Sequence, residues 1–236
     1  MRFELIFSLE NLEIPLDYRS GILSFFKKAL EEYNKEILHL VYDIGKQKDI
    51  TFSPFFIPES FEKDKIILKN NIFKIFYSVE NQLLGIHIYN SFLNILNKTY
   101  PFFENIIKLE RVNRLDEKEI NQDTVIFKIL SPVIIREQLS ENKSWYHLLD
   151  EKGIEILKKN MVYTLKDRFP EKYLEELTIK PLKMKKTITT FYGIQMMGSI
   201  GTIEVNGKKE ILTYLYKSGL STSRKSSGFG MVDILD

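Results

Sequence analysis

The chain contains no cysteine. Disulfides, thiolate catalysis and cysteine-ligated metals are therefore excluded. Histidine is scarce as well. His39, His87 and His147 are the whole complement. They are dispersed, with no H-x-x-x-H spacing, and no acidic pair stands out as a two-metal site, so no metal and no cofactor are expected. No run approaches eighteen apolar residues free of charge, so no membrane-spanning helix is expected. The first residues, Met1 to Phe7, carry Arg2 and Glu4 inside their apolar run and do not read as a secretory signal. A cytoplasmic protein without a membrane partner is the default expectation. Net charge of one sign is also nearly absent. At +2 it says little by itself about nucleic acid.

What is present suits a folded protein of ordinary composition. Of 236 residues, 44% are hydrophobic and 28% charged. That is enough apolar surface for a core, and the length is comfortable for two domains. Charge is unevenly placed. Between Pro181 and Gly230 stand eight Lys or Arg (183, 185, 186, 208, 209, 217, 224 and 225) against two acids (204 and 210). Phe, with 17 residues, is core by default, and the 12 Tyr offer rings for packing or for base stacking.

In chain order, residues 2–9 alternate imperfectly and predict a strand. Ile22, Leu23, Phe26, Leu30 and Tyr33 recur at helical spacing after a cap at Asp17 or Ser20. Residues 37–42 predict a second short helix, and 43–49 a polar turn with Lys46 and Lys48. The segment 50–57 is strand-like, with Pro54 favouring an edge or a bulge. One or two strands follow over 66–76, around a hairpin turn at Asn70-Asn71. A helix over 81–96 and a strand over 102–114 complete the order β, α, β, β, α, β of a ferredoxin-like unit. Residues 114–123 hold six charges and little to bury, and the domain boundary is placed there, dividing 1–118 from 119–236.

The second half repeats the alternation. A strand over 124–135 is interrupted by Ser131-Pro132. Residues 145–149 form a partner strand or lead into the next helix, whose pattern covers 151–169 and ends at Pro170. Strand-like segments at 177–179, 186–191 and 194–205 precede a helix over 208–217. A loop then opens with Gly219 and closes on Gly228, Phe229 and Gly230, with four Ser, one Thr, Arg224 and Lys225 between, before a last strand over 229–234. Glycine permits positive φ and close backbone approach. A loop of small side chains can turn several amides toward one anion, with Arg224 and Lys225 adding charge. The other reading is a flexible tail with a basic pair. Lys183, Lys185 and Lys186, joined by Lys208, Lys209, Arg224 and Lys225, form either an RNA track or a solvated face.

Four features in order resemble the CRISPR repeat-processing endoribonucleases, a family of repeat-associated RNA-binding proteins. They are Met1-Arg2-Phe3 with Ile14-Pro15, Ile50-Thr51-Phe52-Ser53-Pro54 after a Lys-bearing turn, Phe127 to Ile135 with Leu130-Ser131-Pro132, and the closing Gly228-Phe229-Gly230. They span nearly the whole chain, and the closing loop is the most specific. Ser221 departs from the pattern, since the family often has a second glycine after Gly219. The resemblance implies an α+β fold of two tandem ferredoxin-like domains with a C-terminal glycine-rich loop. It implies metal-independent cleavage of CRISPR precursor RNA within its repeats, by attack of a 2′-hydroxyl on the adjacent phosphate, leaving a 2′,3′-cyclic phosphate and a 5′-hydroxyl. The alternative is a non-cleaving, repeat-RNA-binding subunit of a CRISPR effector complex. Repeat RNA is the implied partner, with an effector complex as a further one, and the chain itself a monomer or weak homodimer.

The family's histidine lies late in the first helical region, before the Lys-bearing turn. His39 is nearest to that place. Matching without gaps through Ile50-Thr51-Phe52-Ser53 puts Tyr42 there instead, Lys27 where some members have a tyrosine, and Lys48 at the catalytic lysine. His39 and Tyr42, three apart, share one face of a helix. The expected catalytic set is therefore His39, Tyr42 and Lys48, with Lys46 as the alternative cation. The expected RNA-binding set is Lys27, Lys183, Lys185, Lys186, Gly219, Arg224, Lys225, Gly228 and Gly230. His87 is read as structural, and His147 as either structural or an RNA contact.

Overall fold

The computed structural model describes residues 1–42, 48–140 and 143–235. The first half runs β1 (Arg2–Leu9), β2 (Glu13–Pro15), α1 (Tyr18–Tyr33), α2 (Lys35–Tyr42), β3 (Ile50–Phe55), β4 (Pro58–Phe61), β5 (Lys65–Leu68), β6 (Ile72–Val79), α3 (Gln82–Asn94), β7 (Thr99–Phe102) and β8 (Asn105–Leu115). The second runs β9 (Thr124–Val133), β10 (Ile135–Ser140), β11 (Lys143–His147), α4 (Glu151–Leu165), α5 (Glu171–Glu175), β12 (Thr178–Phe191), β13 (Ile194–Asn206), α6 (Lys209–Ser218) and β14 (Val232–Ile234).

Each half builds one main antiparallel sheet packed against helices, with a smaller sheet beside it, β2-β5-β4 in the first half and β10-β11 in the second. The orders of the main sheets are β3-β6-β1-β8-β7 and β12-β13-β9-β14. In both, the first strand of the unit lies centrally, between the third and the last. That is the ferredoxin-like arrangement expected from the sequence. In β1 the residues Phe3, Leu5, Phe7 and Leu9 are buried in alternation, because successive side chains of a strand face opposite sides. Helix α1 covers that face with Ile22, Phe25, Phe26, Ala29 and Leu30. Phe26 sits edge-on to Phe52 at 5.0 Å and to Tyr77 at 4.9 Å between ring centroids. Helix α3 is started by Asn81, whose side chain accepts from the Leu84 amide at 2.9 Å. Asn81→Ala should lower stability by about 1 kcal/mol, read as a shift in the denaturant midpoint, with Asn81→Asp close to native.

Several local expectations are corrected. The strand β5 does not pair with β6 across Asn70-Asn71. It pairs with β2 and β4 in a separate three-stranded sheet. Hairpin composition marks a turn but does not choose the partner. The strand-like pieces at 177–179 and 186–191 are one strand, β12, continuous through a bulge between Pro181 and Lys183. Proline lacks the amide a regular ladder needs, and the bulge absorbs it. The strand over 50–57 ends at Phe55 and lies at the sheet end, as Pro54 suggested.

The two halves are docked through a third apolar cluster of Leu23, Ile134, Phe191, Met196 and Phe229. Beside it runs a seam of hydroxyl donors. Thr51 Oγ1 donates to the Phe229 carbonyl at 3.1 Å, Ser53 Oγ to Leu130 at 2.7 Å, and Ser78 Oγ to Lys217 at 2.7 Å. Arg2 Nη2 donates to the Val232 carbonyl at 3.0 Å and lies over the Tyr216 ring at 4.3 Å. An end strand normally keeps one face or edge in water. In β3, Ile50, Thr51, Phe52 and Ser53 are all buried, because the core takes one face and the second half takes the other.

Candidate functional site

The site is built at the end of α2. Asn34 ends α1 in an extended conformation (φ −164°, ψ 118°). Its side chain accepts from the Glu36 amide at 2.8 Å and from the Ile37 amide at 3.3 Å, so the same residue starts α2. The short helix buries Val41 and half-buries Ile37 and Leu38, which leaves His39 and Leu40 exposed. One turn beyond His39, Tyr42 lies between two ammonium groups. Lys27 Nζ is 5.4 Å from its ring centroid and Lys48 Nζ 5.2 Å. A cation over an aromatic face contributes about 0.5–1 kcal/mol at exposed sites and more where the pair is desolvated. Two like charges around one ring also make a place where an anion is favoured. Lys27, Tyr42 and Lys48, read from the ungapped match, are thus brought together, and His39 stands on the adjoining turn. Lys46 lies outside the described residues.

The Tyr42 hydroxyl is buried and faces that of Tyr77, at a geometry too poor for a full hydrogen bond. Burial pushes its pKa well above that of a free tyrosine. The ring can shape the site, but the hydroxyl is poorly suited to take up a proton near neutrality. Between α2 and the start of α3 opens a cavity of about 430 Å³ lined by residues that include Leu40, Val41, Lys48, Asn81, Leu83 and His87. Of the other two histidines, His87 lines this cavity and His147 lies in the second half. His87 Nδ1 lies 3.3 Å from the Tyr33 hydroxyl, and His147, nearly buried, lies 2.7 Å from Glu137 Oε2.

The expected RNA-binding residues fall into two sets. Lys183, Lys185 and Lys186 are exposed on β12, the end strand of the second sheet. Lys183 and Lys185 share a face by strand periodicity, and Lys186 faces away. Lys27 is exposed on α1. The glycine loop is different, for it is packed into the junction of the halves. Gly219, Gly228 and Gly230 are all buried, with φ of 89°, 85° and 77°. Their backbone amides are committed to carbonyls inside the chain: Gly219 to Leu215 at 2.9 Å, Gly228 to Lys225 at 2.9 Å and Gly230 to Pro132 at 2.9 Å. These three glycine amides are taken up by protein and do not face an anion. A Cβ at Gly228 would lie 2.5 Å from the Phe52 ring, and the Gly228 carbonyl accepts from Arg19 Nη1. Glycine composition signalled close approach correctly, and the approached group is the first half of the chain.

Arg224 is half-exposed, in the left-handed region (φ 58°), with its guanidinium 5.5 Å from the Phe191 ring centroid. Lys225, expected on a surface track, is turned inward and is 6% exposed. It joins a group that sequence reading missed. Lys225 Nζ lies 3.5 Å from Asp49 Oδ1, 3.2 Å from the Tyr214 hydroxyl and 3.4 Å from Ser218 Oγ. Tyr214 donates to Asp49, and Arg168 bridges Asp49 at 3.1 Å and also pairs with Glu80. The sequence offered no periodicity or motif for these partners, which come from four separate segments.

Among the described residues no group of three or more His, Asp or Glu stands close enough to hold a metal ion, and no helix is long and apolar enough to cross a membrane. Solved structures share this architecture. A protein described as Cas6-related, from Pyrococcus furiosus, matches with a TM-score of 0.85 and 22% identity, covering 100% of this chain and 98% of its own. A RAMP protein described as binding different RNA substrates matches at 0.84 and 21%, with both chains fully covered. A Cas6 product complex matches at 0.72 and 13%, again with full coverage. At these identities the likeness establishes the fold. No curated protein matches the sequence. The family described as CRISPR associated protein Cas6, C-terminal, matches residues 115–234, just over half of the chain. The chain belongs to the Cas6 family.

Proposed function

We propose that this chain binds CRISPR repeat RNA and cuts it as a metal-independent endoribonuclease. Residues 1–118 supply the cleavage groups, and residues 119–236 hold much of the RNA. The observation that carries the reading is the end of α2, where exposed His39 adjoins a Tyr42 ring flanked by the Lys27 and Lys48 ammonium groups. An imidazole next to paired cations is what a phosphate under attack by its own neighbouring hydroxyl requires. In this reading His39 takes the proton of the 2′-hydroxyl as that oxygen bonds to phosphorus. The bond from phosphorus to the 5′-oxygen breaks, and the leaving oxygen takes a proton. A 2′,3′-cyclic phosphate and a 5′-hydroxyl result. Lys48 offsets the charge that builds on the phosphate oxygens, and the Tyr42 ring sets the two lysines around it. Lys183, Lys185, Lys186 and Arg224 serve as phosphate contacts that fix register. The buried glycines, with Lys225, shape the junction between the halves.

A second reading has one specific support. In the ungapped match Tyr42 occupies the family's histidine position, and its buried hydroxyl is a poor proton acceptor. A chain relying on that position would bind repeat RNA without cutting it. One experiment separates the two. Cognate repeat RNA is incubated with the protein in excess EDTA and the product ends are analysed. Product ending in a 5′-hydroxyl and a 2′,3′-cyclic phosphate is the expected result. Tight binding with intact RNA selects the second reading.

A further inference from the structure

Lys225 is an unusual residue to find inside a protein. A lysine loses much hydration on burial, and an apolar residue of similar volume often packs there at no loss of stability. Its surroundings give it a task. The groups facing it are the Asp49 carboxylate ahead of β3, the Tyr214 hydroxyl on α6, Arg168 after α4 and Glu80 after β6. Lys225, Tyr214 and Arg168 meet on the carboxylate of Asp49, the residue directly after Lys48, and Glu80 pairs with Arg168. Asp49 is also tied by its backbone, since its carbonyl accepts from the Glu80 amide at 2.9 Å.

We propose that Lys225 and Arg168 of the second half are positioning residues for RNA cleavage, acting through Asp49 to fix the backbone that carries Lys48. The inference rests on the role given to Lys48 above. The cleavage groups all lie in the first half, yet the residue next to Lys48 is anchored by two cations and a phenol from the second. The site is therefore set only when the halves are docked. A displacement of about 1 Å in a reacting group costs as much as 10²-fold in rate, so an anchor one residue from Lys48 is close enough to matter.

The anchor also has a pH signature. Burial lowers Lys225 from its ordinary 10.5 to about 8, partly offset by Asp49. Between those values the unfolded chain holds more protons than the folded one, so the contribution of this group to stability rises with pH. The ionic tie to Asp49 is lost over the same interval. Cleavage is expected to fall above about pH 8 while the protein becomes no easier to unfold through this group. A purely structural lysine would not produce that opposition.

The test is single-turnover cleavage of repeat RNA at saturating protein, with Lys225→Met, Arg168→Gln, Lys48→Ala and the Lys225→Met/Lys48→Ala double variant. Lys152→Met, on the exposed start of α4, is the control. At pH 7.5, Lys225→Met should cut about 10–10²-fold more slowly, with RNA affinity within about twofold of native. In the Lys48→Ala background it should add nothing. Above pH 9 the native rate should converge on that of Lys225→Met. A full additional loss in the double variant would overturn the proposal. Arg168→Gln changes a half-exposed side chain and tests the same anchor if Lys225→Met does not fold. Hydrogen exchange over residues 48–55 gives a readout free of cleavage. It should quicken in both anchor variants and not in Lys152→Met, and unchanged exchange would overturn the anchor. If the native chain binds RNA but never cuts it, the cleavage reading fails while exchange still decides the anchor.

Discussion

His39→Ala is expected to slow single-turnover cleavage by about 10²–10⁴-fold, the usual scale for lost proton transfer, while repeat RNA remains bound. The side chain is exposed at the surface of α2, so its removal leaves the packing of Val41 and Tyr42 in place, and a loss of rate reports chemistry. Tyr42→Phe is the matched comparison. It removes a buried hydroxyl set beside that of Tyr77, and keeps the ring near Lys27 and Lys48. It should therefore cut at close to the native rate. A large loss in Tyr42→Phe with a silent His39→Ala would move the proton transfer to Tyr42. A 2′-deoxynucleotide immediately upstream of the scissile phosphate should abolish cleavage by the native chain. Persistence of the cut would make water the nucleophile and remove the proposed mechanism altogether.

The second large effect is on stability. Gly228→Ala should destabilise the chain by about 2–5 kcal/mol, because two terms add. An L-residue in the left-handed region costs about 1–2 kcal/mol, and forced overlap in a packed site typically adds about 1–3 kcal/mol. At Gly228 φ is 85°, and the new Cβ would stand 2.5 Å from the Phe52 ring and 2.7 Å from Arg19 Nη1. Gly193 is the internal control. Its φ is 72°, yet a Cβ there would meet nothing within 4 Å. Gly193→Ala should show the backbone term alone, about 1–2 kcal/mol. Denaturant midpoints at unchanged m-value measure both. Equal costs at the two positions would mean that the loop is not wedged against the first half as described.

Much of the architecture is visible in the sequence because burial leaves a period. Phe3, Leu5, Phe7 and Leu9 alternate, and Ile22, Phe26 and Leu30 recur each turn, so β1 and α1 are readable locally. Pairing is not. Nothing near Lys65–Leu68 says that this strand joins β2 and β4 rather than the adjacent β6. The glycine loop shows the same limit in the site. Gly219, Gly228 and Gly230 announce positive φ and close contact, but the identity of the contacted groups, Thr51 and Phe52 of β3 for the first two and Ser221 for the third, is a tertiary fact. Lys225 was indistinguishable from Arg224 as one half of a basic pair. Only the fold separates a half-exposed guanidinium from an ammonium turned onto Asp49. That Lys27 and Lys48 lie near the Tyr42 ring has no periodic signature, and the three were named only through the match to a family pattern.

The hydroxyl seam between the halves bears on how this protein responds to ionic strength. Thr51, Ser53 and Ser78 join the halves through neutral donors and backbone carbonyls, and dissolved ions scarcely screen such bonds. Contacts between lysines and phosphates respond in the opposite way, weakening steeply as salt displaces the advantage of counterion release. In the proposed binding mode salt therefore strips RNA from the exposed lysines while the hydroxyl bonds of the seam persist, and among the ties between the halves the partly exposed Arg168 pairs with Asp49 and Glu80 are ones that salt weakens.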